Sequence, residues 1–204
     1  MAIKDQFGHP RGSLGRFMLS GMNMGHTPMA KWGFSLFDIP RSGDIADIGC
    51  GGGYNVRRLL SKSGGRVYGV DISIASVEKT KAVNKKDLGT RCEVYRADAQ
   101  KLPFADKSLV LVTAFETVYF WKDIDACFRE IRRVLKPGGQ FAVINDPGDP
   151  NKHWEEMIPG MTAYTAEEIA ALMKDAGFKI ARIATKKHMY CVVGKAMQER
   201  REYE

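Results

Sequence analysis

The sequence predicts a doubly wound α/β fold around a parallel sheet. From Asp44 onward, short apolar runs alternate with segments of helical spacing, the signature of successive βαβ units. The run "LVLVTAFE" (109–116) is continuously apolar, as a strand buried on both faces must be. The 204 residues, 44% of them hydrophobic, suit one compact domain with a sizeable core.

The elements follow in order. "IADIG" (45–49) reads as the first strand and "YNVRRLLSK" (54–62) as a helix. "RVYGVD" (66–71) is the second strand, followed by a helix over 73–88 with Ser73 as its N-cap. "CEVYRA" (92–97) alternates as a strand, and 109–116 is the fourth. "DIDACFREIRRVL" (123–135) is a helix that stops at the turn signal "KPGG" (136–139), before the strand "QFAVIN" (140–145). A helix is expected from Thr165 to Asp175, and a closing hairpin from Phe178–Thr185 and His188–Lys195.

Two segments fall outside the alternation. Residues 1–43 are rich in Met, Gly and aromatics, and 146–164 are broken by Pro and Gly. Both are expected to fold over the strand ends as lids on a single domain spanning 1–204, whose core is 44–204.

Composition narrows the function. No apolar stretch approaches the roughly 18–20 residues needed to span a bilayer, and "MAIKDQFGHPRGS" lacks the apolar centre of a secretory signal, so a cytoplasmic protein is expected. Cys50, Cys92, Cys127 and Cys191 are scattered without a CxxC pair, which argues against a disulfide framework or a zinc site. The net charge of +7 is spread along the chain rather than gathered on one stretch, a poor footprint for nucleic acid.

In a doubly wound sheet, ligands bind beyond the carboxyl ends of the strands. The residues there are Gly49–Gly53, Asp71, Asp98, Phe115–Tyr119 and Asn145-Asp146. Glycines after the first strand let a ligand approach bare backbone, and a helix N-terminus behind them offers N–H groups. The dinucleotide spacing GxGxxG fails, because its third glycine would fall at Tyr54; the pattern is D-x-G-x-G-x-G from Asp47 to Gly53. Asp71, at the second tip, can accept both hydroxyls of a ribose. Asp98, at the third, can accept the exocyclic amino group of adenine.

These stretches together are similar to the class I S-adenosylmethionine-dependent methyltransferases, of the small, lidded type acting on small molecules. The resemblance runs from about Gly43 to Gly194 and rests on "DIGCGGG", "VYGVDIS", "RADAQKLPF", "TAFETVYFW" and "VLKPGGQFAVIN" in that order. It implies a Rossmann-like seven-stranded sheet, mostly parallel, with the last strand antiparallel. It also implies that S-adenosyl-L-methionine is bound and S-adenosyl-L-homocysteine released. Backbone of Gly49, Cys50, Gly51 and Gly53 would meet the methionine part, and Asp47 would orient its ammonium. Asp71 would hold the ribose, with Ile72 against adenine. Asp98 and the Ala99 N–H would read the base edge, and Phe115 and Glu116 would line the sulfonium end. One departure is Val110, where relatives commonly carry an acid early in the fourth strand.

Methyl transfer from a sulfonium is an in-line displacement that needs alignment more than covalent help, and no metal is expected. His26 is the candidate general base, with Tyr119 a second catalytic candidate. Tyr119, Trp121, Trp154, Met161 and Tyr164, with His153, are the candidate acceptor wall. The expected partner is a small-molecule acceptor, with neither membrane nor nucleic acid; oligomeric state is not legible. The competing readings are an RNA or protein methyltransferase, a nicotinamide oxidoreductase, and a nucleoside-binding protein without turnover.

Overall fold

The computed structural model describes residues 27–146, 158 and 160–198. Helix α1 (Thr27–Gly33) leads into β1 (Asp44–Ile48), α2 (Tyr54–Lys62), β2 (Val67–Asp71), α3 (Ile74–Val83) and β3 (Cys92–Arg96). Then come β4 (Leu109–Phe115), α4 (Ile124–Val134), β5 (Leu135–Asn145), α5 (Ala166–Asp175), β6 (Phe178–Lys186) and β7 (Met189–Ala196). The strands form one seven-stranded sheet in the order β3-β2-β1-β4-β5-β7-β6. Neighbours from β3 through β5 are parallel, and β7 runs antiparallel to both β5 and β6. The chain winds outward from β1 to β3 and then returns to lay β4 on the other side of β1. The order therefore reverses at β1/β4, and the crevice beyond those tips is where this topology admits ligands.

The alternation of side chains along each strand divides the core between the two faces. Val112, Ala114, Phe141 and Val143 point toward α4 and α5, where Phe128, Ile131, Ile169 and Met173 meet them. Leu111, Phe115, Ala142 and Ile144 point the other way, toward Phe34, Val56, Leu59 and Val77 of the α1–α3 side. Helix α2 buries Val56, Leu59 and Leu60, and α4 buries Ile124, Cys127, Phe128, Ile131 and Val134. That is the i, i+3, i+4 stripe expected of helices lying on a sheet.

Local signals place the helix starts. The Ser73 side chain accepts from the Ser76 N–H, and Thr165 and Glu168 form a reciprocal capping box at α5. Two boundaries differ from the sequence reading. Helix α3 stops at Val83 rather than near residue 88, because Asn84 caps it with a side chain drawn toward the β1–α2 loop. The "KPGG" step lies inside β5: Leu109 pairs with Leu135 and Leu111 with Gln140, so residues 136–139 bulge out of the ladder, with Gly138 at φ 78°.

Helix α1 lies against the ends of the central strands. A Cβ on Gly33 would sit 3.0 Å from the Ile144 side chain and 3.2 Å from the Phe115 ring, and the Phe34 ring stacks obliquely on Phe115 at 4.8 Å. Among the described residues, no helix is long and apolar enough to cross a membrane.

Candidate active site

Strand β1 ends at Ile48, and the backbone turns at once. The Gly49 and Cys50 N–H groups both donate to the Val70 carbonyl, at 2.8 and 3.0 Å, which pins the turn to β2. Gly49 stands at φ 74° and Gly53 at φ 79°, a conformation that disfavours any side chain. Space forbids one too: a Cβ on Gly49 would lie 2.1 Å from Thr117 Oγ1, and one on Gly53 would lie 2.7 Å from the Thr80 Cα. Gly53 is the N-cap of α2 and supplies no side-chain cap, so the helix presents its first N–H groups toward the loop.

Three acids stand at the first three tips. Asp47 is only 2% exposed, and its Oδ1 accepts from Thr113 Oγ1 at 2.7 Å. Burial pushes its pKa up to about 7; the Thr113 hydrogen bond opposes this, and the charge of Asp71 adds to it. Asp71 accepts the Gly51 N–H on Oδ2 at 2.9 Å and the Ser73 N–H on Oδ1 at 2.8 Å. It thus ties the second tip to the glycine loop. The Ala97 N–H donates to the Asp71 carbonyl at 3.1 Å, joining the third tip to the second. Asp98 follows, exposed, its Oδ1 accepting the Gln100 N–H at 3.0 Å in a short turn, with Ala99 buried beside it. Ile72 is 44% exposed, an apolar side chain left toward solvent directly after Asp71.

The fourth and fifth tips carry a separate polar cluster. Phe115 is buried under Phe34. Glu116 takes φ 54°, rare for a residue with a side chain and often a mark of a functional position. Its carboxyl accepts from the Asp146 N–H and from the Tyr119 hydroxyl, the latter at 3.2 Å. Burial raises its pKa to about 8; the Asp146 N–H opposes this, the Asp146 charge adds to it, and the Tyr119 hydroxyl opposes it. Tyr119 is itself buried, and its hydroxyl is pushed well above the usual range by that burial and by Glu116. Asn145, 1% exposed, donates through Nδ2 to the Tyr190 hydroxyl at 2.8 Å across the β5–β7 pair.

The proposed acceptor residues are distributed unevenly. The Thr162 N–H donates to the Tyr119 carbonyl at 2.8 Å, bringing the segment that holds Met161 and Tyr164 to the fourth tip. Trp121 meets Phe128 edge-on at 6.1 Å, and Tyr164 packs on the same cluster beneath α4, so both rings also serve the core. Met161 is half-buried. His26, His153 and Trp154 lie outside the described residues. Cys50 is buried with its Sγ 3.4 Å from Thr80 Oγ1, and burial pushes its thiol well up, so it packs as an inert thiol. Among the described residues, no group of three or more His, Cys, Asp or Glu side chains is gathered to hold a metal.

Sequence reasoning placed Thr117 only within the Phe115–Tyr119 tip and missed Thr113, Thr80, Asn84 and Tyr190. Thr113 carried a signal, being the one hydroxyl within an otherwise apolar strand; the others reach the site from distant elements with no local mark.

The arrangement fits S-adenosylmethionine. A buried carboxyl raised partly by a neighbouring acid is suited to a cationic ligand group. Glycine backbone gives the close approach, and exposed Ile72 offers an apolar surface beside an acid able to take ribose hydroxyls.

Comparisons with known proteins agree with this geometry. Residues 46–143 match the family described as "Methyltransferase domain". The chain is 29% identical over 153 residues to a 24-methylenesterol C-methyltransferase 2 of Oryza sativa subsp. japonica, covering 68% of this chain and 42% of that protein. It thus spans less than half the length of such curated relatives. Its fold matches a chain in the complex between the Haloferax volcanii Trm112 methyltransferase activator and a methyltransferase, with TM-score 0.82 and 24% identity, over 89% of this chain and 95% of that one. It also matches the geranyl diphosphate C-methyltransferase of Streptomyces coelicolor A3(2), solved with Mg2+, geranyl diphosphate and S-adenosyl-L-homocysteine, with TM-score 0.72 and 16% identity, over 94% and 87% of the two chains. With the seven-stranded order, the glycine turn and the acids at the first three tips around it, the stretch from 46 to 143 belongs to the methyltransferase domain family that it matches.

Proposed function

We propose that the protein transfers a methyl group from S-adenosylmethionine to a small-molecule acceptor with an apolar skeleton. The observation that carries this reading is the direct linkage of the glycine loop to the second tip, Gly51 N–H to Asp71, and of the third tip to the same residue through Ala97. When bound, the cofactor supplies a methyl already made electrophilic by its sulfonium.

The chain's own residues do the rest. Asp47 orients the ammonium, and Gly49, Cys50, Gly51 and Gly53 offer backbone to the methionine part. Asp71 holds the ribose and Ile72 covers the adenine, whose edge is read by Asp98 and the Ala99 N–H. Phe115 and Glu116 bound the reacting end. Of the segments expected as lids of the single domain, 1–43 and 146–164, residues 1–26, 147–157 and 159 lie outside the described residues; of the proposed acceptor wall, Tyr119, Trp121, Met161 and Tyr164 lie within them and Trp154 does not. Alignment of this kind supplies about 7–11 kcal/mol in favourable intramolecular reactions.

Where the acceptor must lose a proton, His26 is one candidate to take it. The other is the Glu116–Tyr119 pair, whose hydroxyl and carboxyl are already hydrogen-bonded at the reacting end. The acceptor class is supported by two relatives whose names specify carbon methylation of a methylenesterol and of geranyl diphosphate. Four buried cysteine thiols are in keeping with action in the reducing cytoplasm.

Calorimetry with S-adenosyl-L-homocysteine tests the cofactor. Label transfer from the methyl-labelled cofactor to panels of isoprenoid alcohols, sterols, RNA and protein tests the acceptor. Label entering RNA or protein alone would refute the acceptor class, and binding without transfer to any acceptor would leave a nucleoside-binding protein.

A further inference from the structure

Thr80 of α3 and Asn84, which caps its end, reach across to the carbonyls of the glycine loop. Thr80, fully buried, donates from Oγ1 to the Gly51 carbonyl at 3.0 Å. Asn84, 2% exposed, donates from Nδ2 to the Gly53 carbonyl at 3.0 Å and to the Thr80 carbonyl at 2.9 Å. Each donor is committed. A threonine hydroxyl has one hydrogen, and here it goes to Gly51, so in the 3.4 Å contact with Cys50 the thiol is the donor. Both amide hydrogens of Asn84 are likewise used.

The contacts are close as well as polar. A Cβ on Gly53 would lie 2.7 Å from the Thr80 Cα, so the loop rests on the helix with no room between them. On the other side, Asp71 holds the Gly51 N–H. The loop is therefore gripped on its carbonyls by α3, on its amide by β2, and at Gly53 also by the Arg57 N–H of α2 at 3.1 Å.

A trans peptide is planar, with its C=O and N–H pointing in opposite directions. Turning the Gly51 carbonyl toward Thr80 turns the Gly52 N–H away from α3. Turning the Gly53 carbonyl toward Asn84 turns the Tyr54 N–H away as well. Tyr54 opens α2, and its N–H is one of the donors a helix N-terminus leaves without an intrahelical partner. The Gly53–Tyr54 plane is also held by the first turn of α2, whereas the Gly51–Gly52 plane lies between glycines, which accept either sign of φ and so resist a flip least.

We infer that Thr80 and Asn84 are positioning residues for cofactor binding, holding the glycine loop's peptide planes from behind so that its N–H groups face the carboxylate end of the bound ligand. This rests on the cofactor reading above. It adds two residues, one of a helix that contributes none to that reading and one that caps it. The requirement on residue 80 is chemical as well as steric: it needs a hydroxyl on a side chain small enough to fit beneath Gly53.

The test compares Thr80→Val, Thr80→Ser and Asn84→Ala with the wild type, by calorimetry with S-adenosyl-L-homocysteine and by thermal melting. Valine keeps the shape of threonine and removes the hydroxyl. Serine restores it. Asn84→Ala guards against a Thr80→Val protein that does not fold. Asn84 Oδ1 is a buried acceptor with no partner among the described residues, so alanine removes an unsatisfied group along with the two useful bonds. Thr80→Val and Asn84→Ala are each expected to weaken the ligand by about tenfold, the scale of losing one or two buried hydrogen bonds, and Thr80→Ser to restore wild-type affinity. Folded Thr80→Val and Asn84→Ala proteins that bind as tightly as the wild type would overturn the inference, as would a Thr80→Ser protein as weak as Thr80→Val. A wild type that ignores S-adenosyl-L-homocysteine would instead refute the cofactor reading itself.

Discussion

Replacing Asp47 by asparagine tests whether the buried acid is kept for its charge. The side chain is 2% exposed and is held by Thr113 Oγ1, a contact an asparagine oxygen can also accept. Its pKa in the fold is about 7 against 3.8 in a free chain, raised first by burial. A carboxyl raised on folding favours the native state while it is protonated. Its contribution is whole below the unfolded pKa, is lost as pH climbs toward the folded one, and is gone above it. The shift of about three units corresponds to about 4 kcal/mol of stability lost between roughly pH 4 and pH 7.

Glu116 titrates over an overlapping window, from 4.5 to about 8, with the same sign. The difference between the wild type and Asp47→Asn therefore isolates the Asp47 share. Urea unfolding of both apoproteins at pH 5 and pH 8 measures it: both lose the Glu116 share, and the variant is expected to lose about 3 kcal/mol less than the wild type, the part of the Asp47 window above pH 5. At pH 8 its ligand affinity should fall at least tenfold, because the ligand's ammonium then has no anion to meet. At pH 7, wild-type binding should release a proton, seen as an enthalpy that changes with the buffer, and the variant should not. Parallel stability curves for the two proteins would refute the account of Asp47 as a buried charge held for a cation.

Other perturbations follow from the same geometry. Asp71→Ala should weaken S-adenosyl-L-homocysteine by at least tenfold, about 1.4 kcal/mol, as measured by calorimetry; unchanged affinity would remove the ribose assignment. Gly49→Ala should abolish binding or folding, since its Cβ would overlap Thr117 Oγ1, and Gly49→Ala/Thr117→Gly should recover part of the loss in a melting assay. For Glu116, whose acid form persists to about pH 8, turnover limited by its ionised form should rise with pH toward that value. Glu116→Gln should flatten the rise in the pH–rate profile while leaving cofactor affinity within about twofold; an unaltered profile would exclude Glu116 from proton transfer.

Much of the frame could be read from local pattern. A helix opening at residue 54, directly behind the glycines, is what the stretch 54–62 reads as, and α2 runs Tyr54–Lys62. The tips holding Asp47, Asp71 and Asp98 were legible because each ends an apolar run, and strand ends are where this topology binds ligands. The failures share a cause. The "KPGG" signal is local and real, yet pairing of Leu135 with Leu109 drew those four residues into a bulge within β5. The end of α3 was overestimated because Asn84 takes its partner from Gly53, 31 residues away. Tyr190 reaches Asn145 only because β7 inserts beside β5, a pairing no short window of sequence reveals.

The central seam has a consequence for synthesis. Strands β1 and β4 lie side by side at the middle of the sheet, and Asp47 and Thr113, which clasp there, are 66 residues apart in the chain. A polypeptide growing from its amino end displays the glycine turn and Asp71 well before β4 has emerged to flank them. Until that distant join closes, the half-built nest has one wall missing. Ligand capture is thereby reserved for molecules that have closed this join, the strand pairing of longest sequence separation in the sheet.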